Sequence, residues 1–186
     1  MTGGPGAGKT ALLEVAQREL CRHVVVLPEA ASILWRGQFP RRTSLAARQA
    51  AQRTIARVQL ELQRMTLEEG HAAVILCDRG TLDGLAYWPG APENYFAALG
   101  STREQELARY QAVIHMRTPP AHNGYSHANP YRIESAEEAA KLDQLILAAW
   151  DGHPRRSVIE TEPDFFVKLQ RALIAIRDQL PACCVK

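Results

Sequence analysis

A chain of 186 residues with 46% hydrophobic and 23% charged residues can bury one sizeable core, and its composition is that of a folded rather than a disordered protein. A formal net charge of +2 gives no electrostatic ground for a nucleic-acid partner, and no nucleic acid is expected. No apolar run approaches the roughly 18 residues of a membrane span, and the glycine-rich start is unlike a signal peptide, so a cytoplasmic protein with a single domain over residues 1–186 is expected.

In chain order, the first feature is the loop GGPGAGKT, Gly3 to Thr10, followed by a segment to Leu20 with Leu12, Leu13, Ala16 and Leu20 on one helical face. HVVVLPEA, from His23, is a β-branched run closed by Pro28 and ending at Glu29, and predicts a buried strand. After an arginine-rich polar stretch, Ile55, Val58, Leu62 and Met65 give the core face of a long helix over Thr43 to Glu69. HAAVILCDRG predicts a second strand ending at Asp78. Ala91 to Leu99 is broken by Pro and Gly, Thr102 to Tyr110 predicts a short helix, and QAVIHMR a third strand stopped by Pro119 and Pro120. The segment AHNGYSHANPYR predicts an exposed, mobile lid over about 118–140. Helix over Glu134 to Trp150, strand in RSVIET and helix over Asp164 to Leu180 complete the chain. Strands alternating with helices imply an α/β layer fold with a parallel sheet.

The chemistry begins with the loop. Gly3, Gly8, Lys9 and Thr10 occupy the fixed positions of G-x-x-x-x-G-K-[ST], so residues Gly3, Gly4, Pro5, Gly6, Ala7, Gly8, Lys9, Thr10 and Ala11 form a candidate phosphate cradle. Backbone N–H groups and the positive end of the helix attract the phosphates, Lys9 reaches their outer oxygens, and the Thr10 hydroxyl can ligate Mg²⁺. Asp78, at the end of an apolar strand, stands where such proteins place the carboxylate that helps to hold Mg²⁺. Glu29 ends its own strand and should emerge at the same sheet edge. A second acid there, beside Arg79, suits the orientation and deprotonation of a substrate hydroxyl as the γ-phosphate of ATP, or GTP, is transferred to it. The four cysteines, Cys21, Cys77, Cys183 and Cys184, show no spacing typical of zinc and are expected as reduced thiols.

The order of P-loop, PEA, long helix, DRG and then LDGLAYW resembles a P-loop NTPase family labelled as an AAA-type ATPase domain. Despite the label, its members are similar to ribosylnicotinamide kinase domains and, more distantly, to deoxynucleoside kinases. The resemblance implies a three-layer sandwich with a kinase-like 2-3-1-4-5 parallel sheet, a base role for Glu29, and an acid–arginine pair in Asp78 and Arg79. It also implies a catalytic arginine in the lid: NPYRIES puts Arg132 there, with Arg117, Arg155 and Arg156 as rivals. Asp83, Trp35, Tyr87 and Trp88 are candidates to line an acceptor pocket.

Only Met1 and Thr2 stand before Gly3, where the family pattern has an apolar first strand. That strand is therefore expected to be missing or truncated, with upstream residues, another segment or another chain filling its place. Two functions are compatible with these motifs: a Mg²⁺-dependent kinase acting on a nucleoside-like small molecule, and a nucleotide-dependent switch or slow NTPase acting through a lipid or protein partner. The oligomeric state is not specified. A mechanical AAA ring subunit is not expected, because the chain is too short for the usual helical lid domain and shows no sensor-like pattern, and no guanine-specific NKxD pattern occurs.

Overall fold

The computed structural model describes residues 1–120 and 135–184. Its elements run α1 (Lys9–Glu19), β1 (Val24–Leu27), α2 (Ala30–Arg36), α3 (Leu45–Glu69), β2 (Val74–Cys77), a 3₁₀ turn (Thr81–Tyr87), α4 (Pro92–Leu99), α5 (Arg103–Ala108), β3 (Val113–Met116), α6 (Ala136–Ala149), β4 (Arg156–Ile159), α7 (Phe165–Arg177) and a 3₁₀ turn (Ala182–Cys184). All four strands lie where the β-branched runs predict them. Two helices were not expected. α2 follows Glu29 directly, and α4 sits within the Pro- and Gly-punctuated stretch, with Pro92 in its first turn and the left-handed Gly100 as its stop.

The strands pair in parallel as β1 with β2, Val24 opposite Val74 through Leu27 opposite Cys77, and as β3 with β4, Val113 opposite Arg156 through Met116 opposite Ile159. Met1 and Thr2 lie between the two pairs. The Met1 amino group donates to Cys77 O and the Met1 carbonyl accepts from Arg79 N–H, both at 2.9 Å. On the other side, Thr2 N–H donates to Ile114 O and Met116 N–H to Thr2 O, again at 2.9 Å. A dipeptide thus satisfies backbone groups of both pairs where the family pattern has a longer strand.

The period-two alternation of a strand divides the core around β3. Ile114 and Met116 face Leu12 and Ala16 of α1 and Leu169, Ala172, Leu173 and Ile176 of α7. Val113 belongs to the opposite cluster, with Leu82, Ile146, Ala149 and Trp150. Helices therefore cover both faces of the β3–β4 pair. Each fully buried Leu or Ile in these clusters stabilises the fold by roughly 1.5–3 kcal/mol. Capping boxes fix two helix starts: Thr102 with Gln105 on α5, and Ser135 with Glu138 on α6.

Candidate active site

The phosphate loop is held from behind by buried polar groups. Gly4 N–H donates to Asp143 Oδ1 at 2.9 Å, the Thr118 hydroxyl donates to Pro5 O at 3.0 Å, and Lys168 Nζ donates to Ala7 O at 2.9 Å. Asp143 also accepts from His115 Nε2 at 3.0 Å and pairs with Arg117 Nε at 3.2 Å. Burial opposes its ionisation, but the bonds from His115 and Gly4 and the nearby positive charge hold its carboxyl below the ordinary range. Burial conversely lowers Lys168 to about 8.

None of Asp143, His115, Thr118 or Lys168 was singled out from the sequence. The signal was present in the helices: Asp143 shares the buried face of α6 with Ala139 and Ile146, and Lys168 shares that of α7 with Leu169 and Ala172. A charged residue on a core face requires a partner.

Two glycines let the loop approach this support. At Gly3, with φ of +130°, a Cβ would lie 2.1 Å from Met116 O. At Gly4 a Cβ would lie 2.4 Å from Thr118 Oγ1 and 2.7 Å from Asp143 Cβ. Gly8, at φ 94°, then turns the chain into α1. The first N–H groups of a helix have no intrahelical partner, so this end attracts anions. Thr10 is exposed and Ala11 partly buried in this first turn. Lys9 is buried, its Nζ donating to Gly3 O and Gly4 O at 2.9 Å each, which leaves one of its three N–H groups for a ligand. Burial and the Arg79 charge lower its pKa to about 8 against the opposing pull of Asp78, Glu29 and Asp83.

The two strand-end acids face the same cavity of about 620 Å³ as Gly6, Lys9 and Thr10. Glu29 caps the start of α2, with its backbone extended. Its Oε1 accepts from Arg79 Nε at 2.6 Å and its Oε2 from the Ser32 hydroxyl at 2.5 Å. Burial favours the neutral acid, but the Arg79 charge, the Ser32 bond and Lys9 outweigh it and hold the carboxyl at about 2.

Asp78 is 9% exposed, and its Oδ1 has no hydrogen-bond partner among the described residues. Burial raises its pKa, with Lys9 opposing. An orphaned carboxylate oxygen on a residue that lines the same cavity as Thr10 fits a divalent cation with oxygen ligands.

Arg79 ties the site together. Its backbone is left-handed, φ 74°, a conformation uncommon for a bulky side chain and found at functional sites. Its guanidinium bonds Glu29, Asp83 Oδ2 at 3.1 Å and Gly3 O at 3.3 Å. Asp83 borders the cavity, but its Oδ1 is taken by the Thr2 hydroxyl at 2.6 Å and Trp150 Nε1 at 2.7 Å, so it braces Arg79. Trp35 and Tyr87 line the cavity. Trp88 does not; it is buried edge-on against Tyr95.

Arg132 lies outside the described residues, as does most of the expected lid. Of its rivals, Arg117 is engaged by Asp143 behind the loop, Arg155 bonds Gln179, and Arg156 bonds Leu147 O and Asp151; none of the three lines the cavity.

A glycine loop opening into a helix, a lysine folded into that loop, and two acids at parallel-strand ends facing it together define a P-loop nucleotide-binding domain. The model of the AAA domain family matches residues 1–165, and the chain belongs to that family. No curated protein matches the chain.

Proposed function

We propose that this protein is a Mg²⁺-dependent small-molecule kinase that transfers the γ-phosphate of ATP, or GTP, to a hydroxyl of a nucleoside-like metabolite. The observation that carries the reading is Glu29 sharing one cavity with Lys9 and Asp78 while paired to Arg79. Nucleotide binding alone needs no second strand-end acid held in this way. The cavity volume falls within the range of small-molecule sites, and it extends past the acids along α3, whose Arg48, Gln52, Ile55 and Gln59 border it.

Each residue then has a task. The loop N–H groups, the α1 terminus and Lys9 hold the phosphates and offset the charge on their outer oxygens. Thr10 and Asp78 would hold Mg²⁺, which supplies charge neutralisation to the phosphates when bound. Glu29 accepts the hydrogen bond of the acceptor hydroxyl and aligns its oxygen with the γ-phosphorus. A bond forms from that oxygen to phosphorus as the bond from phosphorus to the bridging oxygen breaks, its electron pair leaving on the nucleoside diphosphate. With its pKa near 2, Glu29 is a weak base, so it takes the proton late, once the new bond has made the hydroxyl acidic. Such timing suits the loose transition state of phosphoryl transfer. Arg79 positions Glu29, and Arg132 is assigned to the transferring group from the lid. On this reading, Met1 and Thr2 are the end of the central strand in a 2-3-1-4-5 sheet.

The test compares two variants. Lys9→Ala should weaken nucleotide binding at least tenfold, whereas Glu29→Gln should bind Mg·ATP within a factor of about three of the parent and lose transfer by about 10² or more. Calorimetric binding beside a transfer assay reads both. Equal loss of binding in the two variants would make Glu29 a structural or metal-binding residue and favour the switch reading.

A further inference from the structure

Far from the cavity, the fold gathers three soft ligands that sequence spacing does not reveal. Ligand atoms of Cys21, His23 and Cys184 all lie within 4.8 Å of one another. Cys21 follows the last turn of α1, and its carbonyl accepts Val24 N–H at 2.9 Å, a turn that carries Cys21 and His23 to the head of β1. Cys184 arrives from the other end of the chain, on the 3₁₀ turn closed by its N–H to Pro181 O at 2.8 Å. It is 2% exposed, and the Cys183 sulfur stands 3.7 Å from its own.

These separations are close to those of a metal tetrahedron. Bonds of about 2.3 Å to sulfur and about 2.0 Å to nitrogen put ligand atoms roughly 3.3–3.8 Å apart, so small rotamer changes would close the group around an ion. Two thiolates and a neutral imidazole would cancel the charge of a divalent cation, which limits the cost of placing it at a half-buried corner. Thiols bind such an ion as thiolates, so metal binding at this group releases protons.

We propose that Cys21, His23 and Cys184 form a zinc site, with Cys183 within reach of the fourth position, and that the ion fastens the C-terminal turn to the corner between α1 and β1. The site is structural. It lies at the opposite end of α1 from Lys9, about 16 Å away for an 11-residue helix, and is independent of the Mg²⁺ reading.

Elemental analysis of the whole chain, purified under reducing conditions without added chelator, should find about one zinc per chain. Titration of the zinc-stripped chain with Co²⁺ should give thiolate-to-cobalt absorption that saturates near one equivalent and is erased by Zn²⁺. Cys184→Ser and His23→Gln should each weaken Zn²⁺ binding at least tenfold, while Lys9→Ala leaves the absorption unchanged. Because Lys9 and Asp78 offer no sulfur, this band distinguishes the proposed site from the phosphate cavity. Absence of thiolate absorption with Co²⁺ in the parent chain, an undiminished band in Cys184→Ser, or a metal-free Cys21–Cys184 disulfide in freshly isolated protein would each overturn the proposal.

Discussion

The side chain with the clearest conflict between burial and charge is Lys9. Its ammonium is enclosed by the loop it serves, and burial with the Arg79 charge brings its pKa from 10.5 down to about 8. The folded protein therefore holds fewer protons at this residue than the unfolded chain between about pH 8 and 10.5, and the contribution of Lys9 to stability rises with pH across that window. Nucleotide binding has the opposite dependence. Phosphate oxygens favour the charged ammonium, so affinity should fall as pH climbs above about 8, with net proton uptake on binding in calorimetry performed in buffers of different ionisation enthalpy. Lys9→Arg, which stays charged, should remove that uptake whatever its effect on affinity. Proton uptake persisting unchanged in Lys9→Arg would move the titration to another group.

Among the elements, the phosphate loop depends on close contact more than on its own sequence. Gly3→Ala would drive a Cβ to 2.1 Å from Met116 O at a φ of +130°, and β3 cannot retreat without breaking its bonds to Thr2 and β4. The substitution should cost at least about 2 kcal/mol, seen as a fall in Tm of roughly 4–8 °C. Gly70→Ala is the contrast: its φ is +70° but open space surrounds it, so the only cost should be the strain of alanine at a left-handed C-cap, about 1 kcal/mol. Equal Tm changes in the two variants would mean that the contact with Met116 is relieved cheaply.

The same contrast marks what could be read from the sequence. β1, β2, β3 and β4 are apolar runs bounded by turn residues, and the loop motif carries its own spacing, so both were visible. α2 is hidden in the sequence because AASILWR is short and leads into the arginine-rich segment, and α4 because Pro and Gly punctuate a loop as readily as they mark a helix's start and stop. Asp143 and Lys168 could be placed behind the loop only once α6 and α7 had been packed against β3, since their partners are distant in the chain. The same is true of Cys21 and Cys184.

At the scale of the molecule, the cavity lies where the end of β1, the end of β2, the phosphate loop and α3 meet, so a ligand there touches elements from separate parts of the chain. None of the helices in the described residues is long and apolar enough to cross a membrane. A nucleotide binding only the folded state should stabilise it by about 2.7 kcal/mol at a hundredfold excess over Kd, which for a chain of this size is roughly 5–10 °C in Tm. Mg·ATP should produce that shift in the parent and in Glu29→Gln and fail to do so in Lys9→Ala. An equal shift in Lys9→Ala would place the nucleotide elsewhere.

Phosphoryl transfer is read by mass spectrometry of a mixture of nucleosides and pyridine ribosides incubated with the protein and Mg·ATP, with Lys9→Ala as the blank. A kinase should yield at least one compound that gains a single phosphoryl group with the parent protein and neither with Lys9→Ala nor with Glu29→Gln. Binding of Mg·ATP with no compound phosphorylated, and slow hydrolysis unaffected by Glu29→Gln, would contradict a kinase function.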